Sequence, residues 1–121
     1  HGWGVSMELM IGEMMEALER VWPLDADNYR RLDEVSVSSR TDFLRDHILK
    51  HLSKVMGDLA DRCEKRDHLP TIPWGELTPH AAPIVTKLIM NALQLARIEG
   101  MTAEEVVVAL RIRFKRDEPY K

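Results

Sequence analysis

The chain has 121 residues, 45% of them hydrophobic and 31% charged, which is enough for one packed domain and too balanced for a disordered polypeptide. A formal net charge of −3 gives no general attraction to nucleic acid or to an anionic membrane surface. The apolar runs are too short to cross a bilayer. No signal-peptide pattern opens the chain, where Glu8 and Glu13 interrupt the apolar residues, and one cysteine cannot form an internal disulfide, so the expected setting is cytoplasmic.

The first periodic segment covers residues 5–22. Met7, Leu9, Met10, Ile11, Met14, Met15, Leu18 and Val21 recur at helical spacing until Pro23 stops the pattern. Residues 23–40 read as a long connection, with Asp25, Asp27 and Asn28 as turn formers. Thr41 is the expected N-cap of a second helix that reaches Lys65, with Asp42 in its first turn. Its apolar stripe is Leu44, Ile48, Leu52, Val55, Leu59 and Cys63. Residues 66–80 carry Pro70, Pro73, Gly75 and Pro79 and read as a loop. A third helix is expected from His80 or Ala81 to Glu99, with Pro83 tolerated in its first turn and Gly100 as the residue that ends it. Thr102 and Glu105 form a capping box for a fourth helix that reaches Lys115 or Arg116. The expectation is an all-α, four-helix bundle in one domain, 1–121.

Two helices carry acids at helical spacing. Glu13 and Glu16 share one face of a first helix that is apolar almost all round, which predicts burial on most sides. On the second helix His47, His51, Lys54, Asp58 and Asp61 fall in a sector of about 80° beside the apolar stripe. Packing the two stripes together would gather Glu13, Glu16, Asp58 and Asp61 into a cluster of hard oxygen ligands suited to magnesium or manganese. The same residues also fit solvated faces, with Lys54 pairing with Asp58 at i,i+4.

Several strings resemble the MazG-like nucleoside triphosphate pyrophosphohydrolases. SMELMIGEMMEALE (6–19) is similar to the family's E-x-x-E helix, and HILKHLSKVMGDLAD (47–61) to its next metal-binding helix, which ends in E-L-A-D. RIRFKRDEPYK (111–121) is similar to its R-P-Y-K ending, and His1-Gly2-Trp3 to a signature before the first metal helix. The resemblance implies an all-α bundle completed by dimerisation, as a homodimer or homotetramer. It also implies hydrolysis of a (deoxy)nucleoside triphosphate to the monophosphate and pyrophosphate.

On this resemblance Glu13, Glu16, Asp58 and Asp61 hold the metal. Glu16 doubles as general base and Lys54 stabilises phosphate charge. Arg111, Lys115, Arg116 and Lys121 are further phosphate contacts, and Trp3 and Tyr120 stack on the base or serve as plain hydrophobic anchors. The chain departs from the pattern at Asp58, Lys115 and Glu118, where the family has Glu, Asn and Arg. Residues 66–80 then read as an insertion, and a second register would bring Lys87 and Asn91 to the site instead.

Three rivals stand beside this reading. His47 and His51 at i,i+4 could share a zinc ion, but Ile48 stands where an H-E-x-x-H motif has Glu. Cys63 falls on the apolar stripe and reads as core. The alternative from another class is a catalytically degenerate helical interaction module, with Met7, Met10, Met14 and Met15 as an adaptable surface. No membrane or nucleic-acid partner is expected, the basic run from Arg111 to Arg116 being diluted by Asp117 and Glu118.

Overall fold

A computed structural model describes residues 2–72 and 78–118, with side chains from Ser6 to Ile72 and from Pro79 to Glu118. It is all-helical over those residues. Helix α1 spans Gly2–Val21, α2 Arg40–His68, α3 Thr78–Ile98 and α4 Ala103–Asp117. Two short 3-10 turns, Arg30–Glu34 and Val37–Ser39, occupy the connection between α1 and α2. Among the described residues no helix is long and apolar enough to cross a membrane.

The helices pack in an order that differs from the chain order. α2 packs on α3, α3 on α1, and α1 on α4. The expected direct pairing of α1 with α2 is therefore replaced by α3 lying between them. The reason is visible in α3, where Ile84, Leu93 and Ala96 are buried together with Leu44, Ile48 and Val55 of α2. This second apolar stripe satisfies α2 before α1 can reach it.

The core is small. Leu18, Leu32 and Val107 complete the set of buried apolar residues, and Ile48, 1% exposed, is its innermost side chain. Leu32 comes from the 3-10 turn in a stretch whose polar composition had read as plain connection.

Helix ends follow local chemistry. Trp22 N–H donates to the Leu18 carbonyl at 2.8 Å, and Pro23 then stops α1. α2 begins at Arg40 from Ser39, one turn of 3-10 helix leading into it, so Thr41 lies inside the helix and is not its cap. The hydroxyls of Ser36 and Ser39 bond each other at 3.0 Å.

Gly100 ends the corner after α3 with φ +73, and Met101 N–H reaches the Ala96 carbonyl at 2.9 Å while Gly100 N–H reaches Arg97 at 3.1 Å. These are the two bonds of a Schellman motif. The Thr102–Glu105 capping box is formed in both directions, at 3.1 and 3.2 Å. Arg45 of α2 then grips this corner, donating to both carboxylate oxygens of Glu99 at 2.5 and 3.0 Å.

Two expectations are corrected. The 66–80 insertion loop shrinks at both ends, because α2 continues to His68 and α3 starts at Thr78. Pro83 consequently sits in the second turn of α3, where it leaves the Pro79 carbonyl without its usual helical donor. The second correction concerns α1. Leu9 is 65% exposed, and Met10 and Val21 are also open, so a single chain does not bury this helix on most sides.

Ile48→Ala is expected to destabilise the chain by about 2–5 kcal/mol, and Thr102→Ala by about 1 kcal/mol through loss of the cap. Urea unfolding followed by circular dichroism checks both values.

Candidate functional site

A cleft runs between α2 and α3, and Trp22 and Tyr29 from the segment after α1 also line it. Its volume is about 690 Å³. α2 contributes His51, Lys54 and Asp58, one turn apart on one face. α3 contributes Thr86, Lys87 and Asn91 from the opposite side. Ile48, Val55 and Ile84 form the apolar floor, and Trp22 and Tyr29 form the end wall.

Charge in this cleft runs against the charge of the chain. Lys54 and Lys87 form no ion pair among the described residues, whereas Asp58 bonds Arg62 at 3.5 Å across one helical turn. The expected Lys54–Asp58 pair is therefore not made. Two uncompensated ammonium groups face one carboxylate, so the cleft is locally cationic in a chain of net charge −3.

The polar groups of α3 are partly committed. Thr86 donates to the Ala82 carbonyl at 2.7 Å, and Asn91 Nδ2 donates to the Lys87 carbonyl at 2.8 Å, which leaves the Asn91 side-chain oxygen as an acceptor toward the cleft.

The end wall is rigidly held. Gln94, a buried polar residue at 4% exposure, donates from Nε2 to the Trp22 carbonyl at 3.0 Å, and its Oε1 accepts from Arg97 at 2.5 Å. Arg97 also reaches the Trp22 carbonyl at 3.5 Å. The indole itself stays 48% exposed at the mouth.

Tyr29 meets His47 edge-to-face at 5.0 Å, and His47 meets His51 at 4.7 Å. Partial burial pushes the Tyr29 phenol above its ordinary value, with Arg97 pulling the other way. Burial lowers the His47 pKa first, and the neighbouring His51 and Lys50 lower it further against Asp46. The imidazole is therefore neutral at pH 7.

The carboxylates expected to share a metal are spread over two elements. Glu13 and Glu16 are exposed on α1, outside this cleft. Asp58 lines the cleft and also, together with Asp61, a neighbouring smaller cavity of about 270 Å³, where Asp61 pairs with Lys65 at 2.9 Å. Among the described residues no group of three or more His, Cys, Asp or Glu is placed to hold a metal ion. The cause is the packing order, since α3 separates α1 from α2.

Other expected contacts also fall elsewhere. Arg111, Lys115 and Arg116 are exposed on α4, which packs on α1 and not on either wall of the cleft, and Arg116 reaches Asp117 at 3.7 Å. The Trp3 side chain, Tyr120 and Lys121 lie outside the described residues. Cys63 is half-buried on α2. Trp22, Tyr29 and Gln94 were missed because they read as a helix end, a connection and a polar position on an apolar helix. Only the proline after Trp22 hinted that its carbonyl needed a partner.

No protein-family model, curated protein or solved structure matches the chain.

The lowered His47 pKa fixes a pH dependence. The unfolded chain takes up a proton near the ordinary histidine value of about 6.5 while the folded chain still resists it. Stability is therefore expected to fall as pH drops through and below that value. His47→Gln is expected to flatten this part of the profile, read as melting temperature between pH 8 and pH 5 against the unchanged protein.

Proposed function

We propose that this chain is a nucleoside triphosphate pyrophosphohydrolase of the MazG-like kind, with the cleft between α2 and α3 as its nucleotide site. The observation that carries the reading is the meeting of two unpaired lysines, Lys54 and Lys87, one carboxylate, Asp58, and an aromatic end wall in a single cleft. A nucleotide has the matching parts, a polyanionic tail and a flat base. Lys54 and Lys87 draw in and orient the phosphates and stabilise the charge that develops on them. The Asn91 oxygen is placed to accept a hydrogen bond from a sugar hydroxyl or a bound water.

Magnesium is held in such sites by one or two carboxylates together with the substrate's own phosphates, and Asp58 is the side chain here that fits that role. An ion held by Asp58 and the substrate's phosphates would supply neutralisation of the triphosphate and acidification of a bound water. Asp61 lies beside Asp58 on the same helix, whereas Glu13 and Glu16, and with them Glu16 as general base, belong to this reading only through an assembly that brings a second copy's α1 to the cleft.

The exposed apolar faces of α1 and α4 support self-association through those two helices. Leu9, Met10 and Val21 on α1 and Ile112 and Phe114 on α4 are open to solvent. The proposed oligomer is a homodimer through these faces. They also favour the second reading, a helical interaction module without catalysis, in which the apolar surface receives another protein. Stabilisation by magnesium with nucleotide separates the two, because only the enzyme responds.

Pyrophosphate release from a panel of nucleoside triphosphates with magnesium or manganese tests the reaction. Lys54→Ala and Lys87→Ala are each expected to lower kcat/KM by about 10- to 100-fold, and Glu16→Gln to abolish turnover in the dimer. Turnover unaffected by both lysine changes would remove the cleft from the reaction. Leu9→Glu with Ile112→Asp is expected to shift sedimentation from a dimer to the 14.0 kDa monomer.

A further inference from the structure

A second cavity of about 430 Å³ adjoins the nucleotide cleft on the far side of Tyr29, and Trp22, Tyr29 and His51 line both. One aromatic wall thus separates a chamber with two free lysines from a chamber with two arginines, Arg30 and Arg31. The arginines are not equivalent. Arg31 is committed to Glu34 at 2.5 Å, whereas Arg30 forms no ion pair among the described residues. Asn28 is also committed, its Nδ2 donating to the Pro23 carbonyl at 3.2 Å.

No Asp or Glu lines this chamber. A free guanidinium offers five donors and no acceptor. Arg30 therefore offers its donor fork to two adjacent acceptors on a base edge.

We propose that this second cavity is the base-recognition pocket of the nucleotide site and selects guanine, with Arg30 as the specificity-determining side chain. This rests on the nucleotide reading of the adjoining cleft. Guanine presents two adjacent acceptors, O6 and N7, that a guanidinium fork meets in two parallel bonds. Adenine places an amino donor beside N7, which sets a donor against a donor. Uracil and thymine present one carbonyl on that edge and engage half of the fork. Trp22 and Tyr29 supply the stacking surface.

The test is calorimetric binding of GTP, ATP and inorganic tripolyphosphate to the full chain, in EDTA so that no turnover occurs. GTP is expected to bind about 10-fold tighter than ATP. Arg30→Ala and Arg30→Lys are both expected to remove that preference by weakening GTP alone, since lysine keeps the charge and loses the fork. A double variant, Lys54→Ala with Lys87→Ala, is expected to weaken all three ligands and keep the GTP to ATP ratio. Arg30 is exposed, and an unchanged circular dichroism spectrum confirms that its variants fold. Equal affinities for GTP and ATP in the unchanged protein overturn the proposal. So does an Arg30→Ala variant that weakens all three ligands alike, which makes Arg30 a phosphate contact. If tripolyphosphate binds and the nucleotides show no base preference, the base pocket alone falls. If none of the three binds, the nucleotide reading falls with it.

Discussion

The Trp22 carbonyl is the point on which this architecture turns. A helix leaves its last carbonyls without internal partners, and here Pro23 prevents the chain from supplying one by continuing. Gln94 and Arg97, a turn apart on α3, fill that need from another helix. The Gln94 amide is satisfied at both ends, which is the condition for holding a polar group at such depth. This small network ties the end of α1 to the middle of the chain. It sets where the connection begins, and through it where Tyr29 and Leu32 can lie.

The functional geometry follows from that tie. Because α3 carries apolar residues toward α2 and a polar hook toward α1, it occupies the centre of the packing order. Its polar face then opposes the polar stripe of α2 across the cleft. Lysines from two helices come together without acidic partners, and an acidic chain acquires a cationic groove. Focusing of this kind depends on local placement and is insensitive to net charge. The acids are dealt with differently, since Asp58, Asp61 and Asp117 each find a basic neighbour one turn away on their own helix.

The legible part of the fold was what local chemistry decides. The Thr102–Glu105 capping box, Gly100 as the turn residue and Pro23 as a stop are set by backbone donors and acceptors within a few residues, and each is found where expected. The stripe from Leu44 to Val55 was equally readable, because helical period alone defines it. The pairing of helices was not readable. α1 and α3 both offer an apolar face to α2, and periodicity does not say which one wins. That choice decided the site as well. Spacing alone put Lys54 and Asp58 in one sector of α2, while the expected partners Glu13 and Glu16 followed α1 to another part of the molecule. Lys87 and Asn91 had appeared only as a second register, and Trp22 and Tyr29 owe their role to Gln94, a contact 72 residues away in sequence.

The position of Pro83 has a consequence for how α3 behaves when its start loosens. Residues 78–82 precede a proline whose φ is already that of a first helical residue. Should this opening turn unwind, Pro83 can serve as a new first residue, and only the amides of Ile84, Val85 and Thr86 lose their helical acceptors. Hydrogen bonds from Lys87 onward are untouched by that event. Fraying at the entry of α3 would therefore reach the cleft only at its Pro83–Thr86 edge, while Lys87 and Asn91 lie on the part of the helix whose backbone bonds remain.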